Sequence, residues 1–320
     1  MTRRLSRRTI ALVTAVLVLI VAAGVAVGVR QATRPADRAT TAPTSTSEDS
    51  ATRGTSVHRY AYLPTGVGDP RQDYGDLYLP AGEHAEDSVP LVVLVHGGGW
   101  TARYGAGLFD PIARALAAQG VAAYNIEYRR IGSGGGWPTT FSDVAAAVDY
   151  VPTLDRLNPE IDTADSTLVG HSAGAQLAVW AGTRNAATPP EFGDPRSRWR
   201  PTRIISLAGP LNLERAADTG DTRVTRILGG TPAQVPDRYR AVDPIENIDP
   251  TMPITAVHGT ADRVVSPSQS MSFVAAVQRA RGEARLVLLR GQSHSALVSP
   301  RSSVFLQIIR MITASTRPSA

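Results

Sequence analysis

The chain has 320 residues, of which 33 are basic and 28 acidic, for a net charge of +5; 42% are hydrophobic and none is cysteine. That is enough apolar sequence for a sizeable core, and the lack of cysteine excludes a disulfide framework, a cysteine-linked lipid anchor and thiolate metal sites. The positive charge does not mark a nucleic-acid surface, because residues 1–38 hold seven arginines against one aspartate while the other 26 arginines and 27 acidic residues nearly cancel.

The basic head Arg3-Arg4-Leu5-Ser6-Arg7-Arg8 precedes an uncharged run from Ile10 to Val29, about the 20 residues that a bilayer span requires. It exceeds the apolar core of a cleaved signal, roughly 7–15 residues. Residues 1–30 therefore read as a signal anchor with its arginines held in the cytoplasm, and the competing reading is a signal peptide cut near Gly24-Val25-Ala26. Both predict an extracytoplasmic protein, anchored to the membrane or secreted. Residues 31–55, rich in Thr, Ser, Ala and Pro, cannot build a core and read as a disordered linker. From 56 to 320, apolar strands alternate with amphipathic helices, which predicts one α/β domain with a mostly parallel central sheet flanked by helices.

Leu91–Val95 is a buried-strand pattern that runs into His96-Gly97-Gly98-Gly99-Trp100. A glycine run at a strand end lets bare backbone approach a substrate oxygen, so the N–H groups of Gly98 and Gly99 are candidate oxyanion donors. Asp110–Ala118 reads as a helix and Val121–Ile126 as the next strand. Gly132-Ser133-Gly134-Gly135-Gly136 has the look of a phosphate loop, but Trp137-Pro138 follows it and the chain contains no lysine; a phosphate loop needs Lys and then Ser or Thr. The run is expected to be a flexible connector near the site mouth. Trp100 and Trp137 are candidate walls of an acyl or aromatic-ester pocket, and Phe141–Leu154 reads as a helix.

Ser166-Thr167-Leu168-Val169 is an apolar strand that turns through Gly170-His171-Ser172-Ala173-Gly174 into a helical stretch. This is the layout of a nucleophile elbow: glycines two residues either side of the serine remove side chains that would collide in a sharp strand-to-helix turn. The N–H of Ala173 joins Gly98 and Gly99 as an oxyanion donor. After a further strand at Thr202–Leu207, residues Leu211–Ile248 look irregular and are expected to cover part of the site. Pro253–His258 is a strand that empties into a loop carrying Asp262. Arg285–Leu289 is another, which empties into Gly291-Gln292-Ser293-His294. Strand ends in a parallel sheet share one edge, so Ser172, Asp262 and His294 can converge as nucleophile, orienting acid and base. Asp243 precedes its strand rather than following it and is the weaker candidate acid. Among the other histidines, His171 is expected to pack locally, His258 to neighbour the acid loop and His96 to pin the glycine loop, while His58 and His84 carry no pattern. No group has metal-ligand spacing, and no cofactor motif is present. Ser303–Ile312 closes the chain as a helix.

With these motifs in this order, the chain resembles the α/β-hydrolase superfamily, in particular its esterase, lipase and kynurenine-formamidase-like group with His-Gly-Gly-x-Trp. Leu77-Tyr78-Leu79-Pro80, Ile126-Glu127-Tyr128-Arg129-Arg130, Trp137-Pro138 with Asp143, and Tyr239-Arg240-Ala241-Val242-Asp243-Pro244 carry the resemblance further, over residues 57–316. It departs at Gln292-Ser293, where Gly-His or a similar pair is usual, and at Asp243-Pro244, where Ser-Pro is. The resemblance implies a hydrolase that cleaves small-molecule carboxylic esters through an acyl-enzyme without a cofactor. An aryl-formamide hydrolase, and a catalytically silent hydrolase fold used for binding, are the alternatives.

Overall fold

The computed structural model describes residues 54–185, 188–193 and 198–316. The signal segment read at 1–30, and all but the last two residues of the linker, lie outside them. Among the described residues no helix is long and apolar enough to cross a membrane.

The strands are β1 (Ser56–Ala61), β2 (Tyr74–Leu79), β3 (Val89–Val95), β4 (Ala122–Ile126), β5 (Ile161–His171), β6 (Arg203–Leu207), β7 (Ile254–Gly259) and β8 (Ala284–Leu289). They form one sheet in the order β1-β2-β4-β3-β5-β6-β7-β8. β2 is antiparallel to both β1 and β4, and every other neighbouring pair is parallel. The helices are α1 (Asp110–Ala117), α2 (Thr139–Asp149), α3 (Val151–Leu157), α4 (Ala173–Thr183), α5 (Leu213–Asp218), α6 (Thr222–Leu228), α7 (Pro236–Val242), α8 (Ser268–Arg279) and α9 (Phe305–Ser315).

Because alternate side chains of a strand point to opposite faces, a strand covered on both sides must be apolar throughout. β3 meets this requirement: Leu91, Val93 and Val95 enter the core beneath α2, α4 and α8, while Val92 and Leu94 enter the core beneath α1 and α9. From β3 the chain adds β4 on one side and then crosses to add β5 on the other. This reversal opens a crevice at the carboxyl ends of β3 and β5. Val95 pairs with Gly170 across that boundary, so the His96 loop and the Ser172 turn leave the sheet side by side.

Three expectations are corrected. The helix read at Phe141–Leu154 is two helices, since Pro152 has no N–H to continue the ladder; α2 stops at Asp149 and α3 starts with Pro152 in its first turn. The stretch 211–248 is ordered as α5, α6 and α7, with Asn212 and Asp221 capping the first two through their side chains. Each has only six or seven residues, too few to display helical periodicity. The glycine run 132–136 is a pinned turn and not a loose connector: the Ser133 and Gly135 N–H groups donate to the Arg130 carbonyl, each at 2.9 Å, and the Ser133 hydroxyl bonds to Gln72 at 2.6 Å.

Candidate active site

β5 ends at His171 and α4 begins at Ala173, so Ser172 alone makes the turn, at φ 55° and ψ −124°. A side-chain-bearing residue at positive φ stores on the order of 1–3 kcal/mol of strain, which the surroundings must hold. Here the Ser172 N–H donates to the Leu207 carbonyl at 2.8 Å, fastening the elbow to β6. A Cβ at Gly170 would overlap the Gly174 carbonyl, and one at Gly174 would overlap the carbonyl oxygens of Val95 and His96. Both glycines are thus steric conditions for the turn. Ser172 is 5% exposed, and no described residue hydrogen-bonds its hydroxyl.

Next to the elbow, Gly98, Gly99 and Trp100 all have positive φ, at 122°, 61° and 57°. The loop is closed by Thr101, whose hydroxyl donates to the Gly98 carbonyl at 3.0 Å. No described residue accepts a hydrogen bond from the backbone N–H of Gly98, Gly99 or Ala173. A buried cluster holds the root of the loop. His96 Nδ1–H donates to the Gly97 carbonyl at 2.7 Å, and its ring stacks on Tyr128, whose hydroxyl donates to the His96 carbonyl at 2.7 Å. Glu127 Oε1 lies 3.0 Å from His96 Nε2 and pairs with Arg130, while Oε2 accepts from the Ala106 N–H at 2.9 Å. Burial, with Arg130 adding to it, pushes the His96 pKa down to about 3. The ring is therefore neutral.

β7 and β8 pair with Gly259 opposite Leu289, and their loops are stitched together by the Ala261 N–H donating to the Gln292 carbonyl at 3.0 Å. This brings His294 Nδ1 to 2.7 Å from Asp262 Oδ2. Asp262 Oδ1 accepts from the N–H groups of Val264 and Val265 at 2.8 and 3.0 Å, and His258 Nε2 lies 3.2 Å from Oδ2. Burial by itself would raise the pKa of this carboxyl. The hydrogen bonds from His258, His294 and the two amides outweigh it and hold Asp262 well below the usual carboxylate range. An ionised Asp262 accepts a hydrogen bond from the Nδ1–H of His294, which leaves Nε2 as the basic ring nitrogen.

His171 joins the two halves of the site. Its Nε2 lies 3.1 Å from the His294 carbonyl, and the two rings are 4.6 Å apart. Burial, and then the neighbouring His294, lower the His171 pKa to about 3.

Two other sequence candidates, Asp243 and Trp100, are placed elsewhere. Asp243 does not reach His294; its Oδ2 caps α5 by accepting from the Leu213 and Glu214 N–H groups at 2.7 and 3.1 Å. Trp100 is not a pocket wall, because it is 2% exposed and turned into the core, where its Nε1–H donates to Gln176 at 3.3 Å. Trp137 packs on Phe141 and Phe192, with the Arg238 guanidinium 5.6 Å from its ring. Two features went unassigned in the sequence: the Glu127–Arg130 pair beneath the glycine loop, and Arg223, whose stem packs on Gly99. An i,i+3 spacing of opposite charges, inside a stretch that carries the family resemblance, hinted at the first; nothing local hinted at the second.

A mostly parallel eight-stranded sheet with a strained serine elbow at its switch point is the architecture of an α/β hydrolase. The BD-FAE family model matches residues 75–277, more than half of the chain, and the chain belongs to that α/β-hydrolase esterase family. A probable isoprenylcysteine alpha-carbonyl methylesterase of Oryza sativa subsp. japonica is 28% identical over 254 residues, which is 75% of this chain and 58% of that protein. The chain thus spans little more than half the length of this curated relative. Among solved structures, a truncated carbohydrate esterase from gut microbiota shares the fold with a TM-score of 0.68 at 21% identity, over 81% of this chain and 96% of the other. A Thermogutta terrifontis esterase with bound propionate shares it with a TM-score of 0.65 at 23% identity, over 81% and 92% of the two chains.

Proposed function

We propose that the protein hydrolyses carboxylic esters of small molecules through a Ser172–His294–Asp262 triad. Ser172 Oγ attacks the ester carbonyl as its proton passes to His294 Nε2, and the negative oxygen is met by the N–H groups of Gly98, Gly99 and Ala173. Collapse expels the alcohol, which takes the proton back from His294. Water, deprotonated by His294, then attacks the acyl-enzyme, and breaking the acyl–Oγ bond releases the acid and returns the proton to Ser172. The observation that carries this reading is the 2.7 Å contact of His294 with an ionised Asp262, beside a strained serine flanked by three uncommitted backbone donors. The relatives named above are esterases, and none of them favours the aryl-formamide alternative. A silent binding module is disfavoured because serine, acid and base are all retained.

The test is Ser172→Ala. Ester turnover and labelling by a fluorophosphonate probe are expected to disappear while circular dichroism and melting temperature stay close to the parent's. Labelling of the variant at the parental level would refute the assignment. We also propose that the domain works outside the cytoplasm, from the basic and apolar head of residues 1–30 alone; protease added to intact cells is expected to digest it.

A further inference from the structure

Resting on that reading, we infer that Arg223 determines specificity for the alcohol arm of the ester and favours alcohols with a neutral acceptor oxygen close to the ester bond. Arg223 stands in the first turn of α6 with its stem against Gly99 of the candidate oxyanion loop. Its Nε and Nη2 donate to the two oxygens of Asp221, both at 2.7 Å, and Nη2 also donates to the Val264 carbonyl at 3.1 Å. One side chain therefore bridges the start of α6, the candidate oxyanion loop and the loop of Asp262. Nη1 has no partner among the described residues, which leaves two N–H donors on a side chain that keeps 35% of its surface exposed.

These donors belong to the wall of a cleft of about 480 Å3, lined by Thr219, Asp221, Arg223, Val264, Ser266 and Gln269 among others. The leaving alcohol must take its proton from His294, and so it departs on the side of that histidine. His294 is held by Asp262, and the chain after Asp262 forms the cleft wall at Val264 and Ser266. On that adjacency to the Asp262 loop, the alcohol rather than the acyl chain is assigned to the cleft. Its chemistry sets the preference. Asp221 neutralises the guanidinium through both of its oxygens, so the wall carries no net charge to offset the desolvation of a carboxylate, whereas a hydroxyl or ether oxygen accepts from Nη1 at little such cost.

The experiment compares kcat/KM for hydroxyethyl butyrate, propyl butyrate and the butyrate ester of glycolate, each divided by its alkaline hydrolysis rate to remove intrinsic reactivity. In the parent, hydroxyethyl butyrate is expected to lead propyl butyrate by about ten-fold, the scale of one hydrogen bond to a charged donor, with the glycolate ester lowest. In Arg223→Gln that ratio is expected to approach one through KM, and in Arg223→Lys to survive in part, whatever happens to the absolute rates. Equal turnover of the first two esters by the parent, or a lead for the glycolate ester, overturns the inference without any variant. So does a preference confined to the acyl arm, measured with the propyl esters of methoxybutyric and hexanoic acids. If the parent hydrolyses none of these esters, the hydrolase reading fails and takes the inference with it; if it hydrolyses them without preference, only the role of Arg223 falls.

Discussion

The Nε2 of His171 donates to the backbone carbonyl of His294 at 3.1 Å, so the residue beside the candidate nucleophile holds the loop that carries the candidate base. The elbow is rigid because it is strained and buried, and this bond passes its position on to His294. Proximity of this kind is a large share of what an enzyme supplies, and small displacements are costly.

His171→Phe removes that donor and keeps the bulk. kcat is expected to fall by about ten-fold, with KM changing far less, while His171→Gln, which keeps an N–H, recovers part of the loss. The pH–rate midpoint is expected to stay in place, because His171 is already neutral, its pKa pushed down to about 3 by burial and by His294. A charged His171 would have depressed the ionisation of its neighbour, and removing it would have moved the midpoint upward. Steady-state kinetics across pH 5–9 separates the two outcomes.

Asp262→Asn and Asp243→Asn distinguish the two buried carboxyls. The first leaves His294 in the wrong tautomer and is expected to lower kcat by up to about four orders of magnitude; the second is expected to leave kcat within a few-fold. Asp243 instead titrates with stability. Burial raises its pKa from 3.8 to about 7 in the fold, so its contribution is fully present below about pH 4 and is lost as pH rises through 7. Relative to Asp243→Asn, the parent is expected to lose up to about 1.4 kcal/mol per pH unit across that window. Denaturant melts of both proteins at pH 4, 5.5 and 7 check the sign.

Glu127→Gln strikes the base of the glycine loop. It leaves Arg130 buried without its carboxylate and sets an amide against the His96 ring, so a stability loss of about 3–5 kcal/mol is expected. With Arg130 unpaired beneath the His96 ring, the root of the glycine loop shifts and the Gly98 and Gly99 donors lose their aim. kcat is expected to fall more than KM rises, since an oxyanion interaction is made in the transition state. A stable variant with parental kcat would show that the loop is fixed by its backbone alone.

Much of the site was legible because its parts are local. Glycines flanking a serine, a glycine run, an aspartate and a histidine each follow an apolar strand, and strand ends in a parallel sheet share an edge. The elbow is readable for a further reason: its requirement is steric and lies within five consecutive residues, Gly170 to Gly174. The same local logic failed for α5 to α7, whose turns are too short to show a period and are held by caps and tertiary packing.

By itself, then, the sequence determined the α/β class, the strands whose two faces are apolar, and the residue types at their carboxyl ends. Only the tertiary structure decided which side chains meet. The crossing from β4 to β5 set the His96 loop against Ser172, the pairing of β7 with β8 brought Asp262 and not Asp243 to His294, and the packing of α6 laid Arg223 on Gly99. Such contacts join residues tens or hundreds of positions apart, and their energies depend on burial and direction that no stretch of chain possesses before it folds. Trp100 shows the same limit from the other side: an aromatic in a site loop is equally suited to touch substrate or to anchor backbone, and here a positive φ and a buried bond to Gln176 turn it inward.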